Sequence, residues 1–350
     1  MLKSHFNLVY DDEEPKAEEE HEQEAEEAPE SEVIPERVLK RSEISVRLSM
    51  LGKTAEGDGY TYLKATLTAM KLTDIVSVKF FTHLMFLDVS ENYLDNKALQ
   101  AVSELPCLIF LQADKNRITS AALKRMKYLQ VIVMNHNQIS SVSDIYQDQI
   151  STIEIGYNKI QKVAFPYGLF QLKVIDLRYN EITEITGFDL PNLDSLYLAG
   201  NKITSLVGLE KLVNLRILHV RNNPIKLLNG FDEGLKKLTY INLRNCKVTT
   251  LKQVKKLRVL PALETLNMRG CPYMGGPGEE GADGADEEED PDIRIETLAA
   301  LPRLKRINKD PVSPEERDEA KEMMTQWIEE GEKDEEEIEE EHEEETVHED

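Results

Sequence analysis

One nine-residue pattern recurs nine times along the chain and constrains its fold more than any other feature. The pattern is L-x-x-L-x-L-x-x-N/C, and successive copies end 21 to 25 residues apart. The copies occupy residues 84–92, 108–116, 129–137, 150–158, 172–180, 193–201, 215–223, 238–246 and 263–271. Spacing this regular over nine copies indicates one structural unit per copy, stacked on its neighbours as a solenoid.

The residue types of the pattern explain how such units pack. Positions one, four and six of a short strand point inward, where each aliphatic side chain contributes roughly 1.5–3 kcal/mol when buried. Position nine holds an Asn, whose amide can bond the backbone of a turning chain, and Cys246 and Cys271 continue this ladder as small buried thiols. The sequence therefore predicts an α/β solenoid, a leucine-rich-repeat horseshoe of about nine to ten coils of 21–25 residues with a parallel concave sheet.

Composition shifts divide the chain into six predicted segments. Their boundaries come from the repeat, from charge runs, from a helix pattern with Ser42 as N-cap, and from a capping-box signature at Ser313, Pro314 and Glu316. The segments are an acidic disordered N-terminal segment (1–35), an N-terminal helical cap (36–61), the solenoid (62–274), an acidic Gly-rich loop (275–292), a C-terminal repeat cap and helix (293–328) and an acidic disordered tail (329–350).

Charge is unevenly distributed between these segments. The formal net charge is −24, but residues 11–32, 279–292 and 329–350 are so rich in Asp and Glu that the rest of the chain is net positive. Acidic runs with so few apolar residues favour solvated disorder. The sequence therefore predicts a basic folded body that carries acidic disordered appendages.

The predicted register also indicates a candidate partner-binding surface. Positions three, five and seven of each strand point away from the core, and in the C-terminal half they carry arginines and aromatic rings, a mixture enriched at protein interfaces. These candidates are Arg178, Tyr197, His219, Arg221, Tyr240, Arg244 and Arg269, and we expect them to bind acidic protein surfaces. Alternatively, the charges keep the solenoid soluble or meet the chain's own acidic tails.

Trp327 is a further partner-binding candidate, outside the repeat. It lies on an apolar stripe of the predicted C-terminal helix, with Ala320, Met323, Met324 and Ile328 at helical spacing. The stripe either packs back onto the last coil or offers a groove to a partner. The sequence leaves both readings open.

Several functional classes find no support in the sequence. The three cysteines have no close pair or C-x-x-C spacing, so neither a disulfide framework nor a zinc site is expected. A literal G-x-G-x-x-G at 276–281 opens a polyacidic loop without the strand and helix that a dinucleotide site needs. No catalytic constellation stands out. We expect a non-enzymatic protein without cofactor, metal, small-molecule substrate, nucleic-acid partner or membrane segment, in a reducing compartment.

Several segments resemble axonemal radial-spoke leucine-rich-repeat proteins of cilia and sperm flagella. They are LTDI (72–75), HLMFLDVSEN (83–92), LQADKN (111–116), LYLAGN (196–201), GLEKLVNLRILHVRNNPI (208–225) and LPRLKRIN (301–308). The resemblance implies a structural subunit near the spoke head that docks other radial-spoke proteins and supports motility. It also implies a location in the cytoplasm and cytoskeleton, at the axoneme of a cilium or flagellum. The acidic insertion at 275–292 departs from that family.

Two other protein classes combine similar 22-residue repeats with comparable charge. A phosphatase-regulatory adaptor would use its concave face on a catalytic subunit, and the Arg-rich half would suit that role. An acidic nuclear histone-binding protein would pair its repeats with a polyacidic tail. Both remain alternatives at the level of sequence.

Overall fold

A computed structural model describes residues 34–54, 57–278 and 290–347, with side chains to residue 331. The predicted disorder of the N-terminal segment and most of the predicted acidic loop lie outside the described residues. Within them, the unit Arg37–Asp350 contains a thirteen-stranded sheet whose strand order follows the chain. Every strand therefore pairs with the strands that precede and follow it in sequence.

The sheet is parallel through the repeats and closes at each end with an antiparallel strand. The strands are β1 (Leu48–Lys53), β2 (Tyr60–Thr66), β3 (Phe86–Asp88), β4 (Phe110–Gln112), β5 (Val131–Val133), β6 (Thr152–Glu154), β7 (Val174–Asp176), β8 (Ser195–Tyr197), β9 (Ile217–His219), β10 (Tyr240–Asn242), β11 (Thr265–Asn267), β12 (Arg306–Ile307) and β13 (Asp310–Pro311). Strands β3 to β11 occupy positions three to five of the nine repeats, so the predicted register is confirmed.

Helical segments are short except near the C-terminus. The α-helices are α1 (Arg41–Ser45), α2 (Asn96–Leu99), α3 (Leu251–Lys255), α4 (Pro291–Ala300) and α5 (Pro314–Val347). Single 3₁₀ turns occupy Val76–Phe80, Gln100–Glu104, Leu209–Lys211, Lys256–Val259 and Pro272–Met274. The side opposite the sheet is thus built largely of turns, because leucines spaced three apart suit the 3₁₀ repeat.

The core is a continuous column of aliphatic side chains inside the coils. In the repeat 215–223, for example, Leu215, Leu218 and Val220 at positions one, four and six are all buried, and the same positions are buried in the other eight copies. Each coil covers the apolar side chains of its neighbours, so that the described residues share one hydrophobic cluster from Leu39 to Ala320.

Position nine joins adjacent coils through hydrogen bonds. The Asn137 carbonyl oxygen accepts from the backbone N–H groups of Asn116 and Ile118 at 3.1 Å each. Its amide nitrogen donates to the carbonyls of Ala113 at 3.0 Å and Met134 at 3.2 Å. One buried amide thereby satisfies backbone groups of two coils, which is the role expected of the Asn ladder.

The two ladder cysteines are core residues as well. Both thiols are buried and donate to carbonyls of the preceding coil, Cys246 to Val220 at 3.3 Å and Cys271 to Leu243 at 3.1 Å. Burial raises the pKa of Cys271 to about 12 and also raises that of Cys246. These thiols stay protonated, and they replace the Asn amide with a single donor.

The N-terminal cap differs from the helical cap predicted over 36–61, whose helix was expected to begin after Ser42. Helix α1 is only five residues long, and its N-cap is Lys40 rather than Ser42. After α1 the chain forms the antiparallel hairpin β1–β2. Threonine and tyrosine favour strands, and a Gly57-Asp58-Gly59 turn lies between β1 and β2. Pairing with the sheet edge therefore outweighs the helical spacing of the apolar residues.

One side chain of this hairpin also faces away from its predicted direction. Residues 62–75 read as a degenerate first coil, a pattern that predicts Tyr62, Ala65 and Leu67 on its inner side. Tyr62 is instead exposed and pairs across the hairpin with exposed Leu51. Ala65 and Leu67 are buried as predicted. Strand alternation from Ala65 places Leu63, and not Tyr62, on the inner face.

The C-terminal cap confirms the predicted start of the long helix but not its end. The Ser313 N–H donates to the Glu316 carboxylate at 2.6 Å and the Glu316 N–H donates to the Ser313 hydroxyl at 3.2 Å. The helix then continues to Val347, across the segment predicted to be a disordered tail from residue 329. Glutamate is a strong helix former and no proline follows Pro314, so helix propensity outweighs charge repulsion along this backbone.

The acidic loop is shorter than predicted. Helix α4 already begins at Pro291, after the N-cap Asp290, whose carboxylate accepts from the Asp292 N–H at 2.9 Å. A carboxylate at a helix N-terminus satisfies a free N–H and complements the helix dipole. The last two residues of the predicted loop, Pro291 and Asp292, are therefore the first turn of a helix.

Candidate protein-interaction face

The residues at positions three, five and seven of the repeats share one side of the sheet, here termed the open sheet face. Neighbouring strands are about 4.7–4.9 Å apart, so equivalent side chains of successive coils meet at van der Waals distance. Because the strands follow sequence order, the side chains of this face succeed one another in the order of the repeats along the chain.

 

Three of the predicted aromatic residues form a stack on the open sheet face. The rings of Tyr197 and His219 lie 4.8 Å apart between centroids, and those of His219 and Tyr240 lie 4.9 Å apart. These residues come from β8, β9 and β10, so each coil contributes one ring. Tyr240 is only 4% exposed, so it supports the stack from below and the predicted contact surface is left to the half-buried rings of Tyr197 and His219.

His219 is an uncharged member of this stack. Burial, together with the positive charges of Arg178 and Arg221, lowers its pKa to about 3. The imidazole is therefore neutral near pH 7 and acts as an aromatic surface and hydrogen-bonding group rather than as a cation.

The arginines at position seven are half-buried beside the stack. Arg178 makes an ion pair with Asp176 in its own coil, with Nη2 at 2.7 Å from Oδ2 and Nε at 2.9 Å from the same oxygen. Its charge is thus largely compensated within the molecule, which the sequence did not indicate. Position seven of the next coil is Ala199, and Arg221, Arg244 and Arg269 occupy it on the three coils after that, toward the C-terminal cap. These four arginines are termed the arginine row.

At three of these arginines, Arg178, Arg244 and Arg269, the side chain at position five bonds the arginine backbone, a contact that the sequence analysis did not predict. The Asn242 carbonyl oxygen accepts from the Arg244 N–H at 3.0 Å, and Asn267 does the same for Arg269 at 3.2 Å. The Asp176 carboxylate likewise accepts from the Arg178 N–H at 3.0 Å. The recurrence of Asp or Asn two residues before each of these arginines was the available signal.

The N-terminal half of the open sheet face is acidic and was not predicted as a site. A groove of about 470 Å³ is lined there by residues that include Asp88, Asp114, His136 and Tyr157. Close by, burial and the charge of Asp176 raise the pKa of Glu154 to about 7. The two halves of the face thus differ in charge.

An aromatic ladder borders this groove at position eight of the repeats. The rings of His136 and Tyr157 lie 4.2 Å apart and those of Tyr157 and Tyr179 lie 4.6 Å apart. The ladder of rings ends at the next coil, where position eight is Gly200 and an added Cβ would lie 2.5 Å from Tyr179 Cδ1. Gly200 has a φ of +66°, so both space and backbone conformation favour glycine at this position.

Trp327 lies apart from the open sheet face, on α5. Ala320 is buried, and Met323, Met324 and Trp327 pack against the core. The Lys255 ammonium lies 4.2 Å from the centroid of the Trp327 ring, within the range of a cation–π contact. Of the two sequence readings, packing back onto the last coil accounts for most of the stripe, while Ile328 stays 55% exposed.

No helix in the described part of the chain has the length and apolar character needed to cross a bilayer. Where side chains are described, in 34–54, 57–278 and 290–331, no three His, Cys, Asp or Glu converge in a metal-binding arrangement.

Family models and solved structures agree on the fold. Models described as "Leucine rich repeat" and "Leucine Rich repeats (2 copies)" match residues 148–203 and 191–233. The fold is a leucine-rich-repeat solenoid. Mouse RP105 in complex with MD-1 superposes with a TM-score of 0.54 at 18% identity, over 69% of this chain and 41% of that chain. TLR13 in complex with ssRNA13 gives 0.53 at 18% identity, over 71% and 40%.

Among curated proteins, the chain is similar to leucine-rich repeat-containing protein 23 of three mammals. Leucine-rich repeat-containing protein 23 of Bos taurus and of Homo sapiens are each 34% identical to the chain over 117 residues. The Mus musculus protein is 33% identical over the same length. Each match covers 33% of this chain and 34% of the relative. The matched region thus spans about a third of the length of these relatives.

Proposed function

We propose that this leucine-rich-repeat scaffold is a structural component of the axonemal radial spoke, without catalytic activity, which docks other radial-spoke proteins and supports ciliary and flagellar motility. The similarity to leucine-rich repeat-containing protein 23 supports this proposal, as does a fold whose main feature is an extended surface for protein contacts. The proposal locates the chain in the cytoplasm, on the cytoskeleton of a cilium or flagellum.

The arginine row beside the Tyr197–His219–Tyr240 stack is the observation that carries the docking proposal. Arginine donors match carboxylate geometry, and aromatic rings beside them add contact area that is already ordered before a partner binds. Since His219 is neutral, the charge of this half of the face comes from the arginines. An acidic protein surface is therefore the complementary partner.

The first experiment identifies the neighbours of the chain. The tagged protein is expressed in ciliated cells, axonemes are isolated, and crosslinking mass spectrometry is applied. Crosslinks from the arginine half of the open sheet face to radial-spoke proteins are the expected result. Absence from axonemes, with recovery beside a phosphatase or histones, would contradict the proposal and favour one of the two alternative classes.

Charge reversal then tests the docking surface itself. We expect the double variant Arg221→Glu/Arg244→Glu to lose those crosslinks, since carboxylates would face an acidic partner. A matched control reverses two exposed lysines outside the arginine row, Lys226→Glu/Lys236→Glu. Equal crosslinking of the arginine variant and wild type would show that the arginine row is not the docking surface.

A further inference from the structure

The C-terminal cap holds an open groove of about 540 Å³ that the arginine row does not reach into. Four buried leucines form its floor, namely Leu257, Leu260, Leu263 and Leu301. One wall is the α5 surface that carries Met324, Trp327 and Ile328. The opposite wall comes from the 3₁₀ turn Lys256–Val259 and from Pro302 after α4. The groove is therefore apolar along its floor and along its helical wall.

The groove exposes more contiguous apolar surface than is usual for a monomeric protein. Ile328 is 55% exposed, and Val259 on the adjoining turn is 44% exposed. Trp327, the only tryptophan of the chain, is only partly buried. A contiguous patch with a large aromatic residue and polar edges is typical of a protein-interaction site.

Charge at the rim has a single sign. Lys255, Arg258 and Arg303 line the groove, and its described lining includes no carboxylate. The Arg258 Nε donates to the Ala300 carbonyl at 2.7 Å, which fixes that guanidinium at the rim, and Lys255 is held over Trp327. An occupant with carboxylates on both sides of an apolar ridge would complement this arrangement.

The lining also indicates the secondary structure of the occupant. It consists of side chains from α5, from the end of α3, from the 3₁₀ turn Lys256–Val259 and from the segments that follow that turn and α4. It includes no strand of the sheet. An extended segment would find no strand edge with which to pair its backbone, whereas a helix satisfies its own backbone hydrogen bonds. A helix packing against α5 would present aliphatic residues at i, i+3 or i+4, and i+7 to the leucine floor.

We propose that the groove between α5 and the Lys256–Val259 turn binds an amphipathic helix of a partner protein, with an aliphatic ridge flanked by Asp and Glu. This site is separate from the arginine row and does not depend on the proposed axonemal function. A peptide assay with the full chain can therefore succeed or fail independently of the axoneme experiment.

Trp327 supplies a direct readout, because the emission of the full chain at tryptophan wavelengths comes from the groove alone. The probe is an 18-residue helical peptide without Trp or Tyr, with leucines at helical spacing and Glu on both flanks. A matched peptide carries Lys in place of each Glu. We expect the Glu peptide to shift Trp327 emission saturably to shorter wavelength and the Lys peptide to bind at least about tenfold more weakly.

Two variants separate the groove from a general loss of structure. Ile328→Glu places a charge on the ridge contact, and we expect it to weaken Glu-peptide binding by at least about tenfold. Val207→Glu is the matched control, since Val207 is 49% exposed and does not line the groove. Arg303→Glu should weaken the Glu peptide and strengthen the Lys peptide, a reversal that unfolding cannot produce.

Four results would overturn the proposal. Neither peptide changes Trp327 emission saturably, or the Glu and Lys peptides bind the wild-type chain equally well. The Glu peptide binds wild type and Ile328→Glu equally well, or the chain self-associates with concentration in sedimentation and Ile328→Glu abolishes that association. That result would assign the groove to a second copy of the chain instead of a partner helix.

Discussion

Each position-nine asparagine satisfies backbone groups on two coils, so that replacing one amide affects both. We expect Asn137→Ala to lower the free energy of unfolding by about 2–5 kcal/mol, because buried N–H and carbonyl groups lose their partners at about 1–3 kcal/mol each. Urea denaturation measures the change. Exposed Gln138 provides the control, and Gln138→Ala should change stability by less than about 0.5 kcal/mol. Equal effects of the two substitutions would contradict the role assigned to the ladder.

Glu154 makes the stability of the fold depend on pH. Because its pKa is raised to about 7 in the folded state, the folded protein binds more protons than the unfolded chain between about pH 4.5 and 7. Stability from this group is thus present below the unfolded pKa and is lost as pH rises through about 7. We expect Glu154→Gln to stabilise the protein at pH 8 by on the order of 1–3 kcal/mol, and by much less at pH 4.5.

Urea denaturation at both pH values measures this difference. The exposed carboxyl of Glu233 offers a control, since Glu233→Gln should change stability little at either pH. A gain from Glu154→Gln that is the same at pH 4.5 and pH 8 would mean that packing, and not ionisation, accounts for it.

At the residue scale, the sequence predicted the contacts that recur in every coil and did not predict those that differ from coil to coil. The Asn ladder, the buried thiols and the Tyr197–His219–Tyr240 alignment all follow from position within the nine-residue pattern. The Asp176–Arg178 ion pair and the pKa of Glu154 depend on which charges adjacent coils bring together. Those energies come from distances and burial, which a one-coil pattern does not contain.

Among the elements, α5 is joined to the C-terminal cap by one buried polar side chain in addition to its apolar contacts. Arg294 is 9% exposed, pairs with Glu316 on α5, and donates to the carbonyls of Ile307 at 2.9 Å and Pro311 at 3.2 Å. We expect Arg294→Ala to destabilise the cap by about 3–5 kcal/mol, since it leaves a partly buried carboxylate and several carbonyls without this partner.

Hydrogen exchange in the first turns of α5 and the emission of Trp327 measure that effect. Exchange should accelerate over residues 314–331, and emission should shift to longer wavelength as Trp327 becomes solvated. Exposed Arg47 supplies the control substitution, Arg47→Ala. Unchanged exchange in the Arg294 variant would show that the apolar contacts of α5 suffice to hold it.

Elements at the two ends of the solenoid were predicted less well than the coils between them. Because the pattern of the coils occurs nine times, the register of an ambiguous copy can be inferred from the other copies. Residues 42–51 occur once, and their apolar spacing fits a helix face as well as the strand that the sheet edge selects. The capping box at Ser313 was readable because its hydrogen bonds are local.

At the scale of the whole molecule, the coils behave as interchangeable units. Deletion of residues 181–201 joins Asn180 to Lys202, which has the same position in the pattern as the deleted Glu181. We expect this variant to keep a folded sheet with one strand fewer and a cooperative urea transition of lower midpoint, because each coil contacts only its neighbours. Circular dichroism and urea denaturation provide the measurement.

Deletion of half a coil is the matched control. Removing residues 181–191 instead brings Asn192 to the place of Glu181 and moves the inward positions out of phase. That variant should fail to fold cooperatively. Equal stability of the two deletions would mean that the register of the repeat does not determine the stacking.

The strand ladder also determines how the molecule responds to force. Since every strand pairs only with its neighbours in sequence, the hydrogen bonds between coils point along the axis on which the coils stack. Tension applied between the two ends reaches each interface in series, and each interface has few bonds to resist it. The chain would lengthen in steps of one coil, and each step would release 21 to 25 residues of slack. Such a molecule acts as an extensible tether.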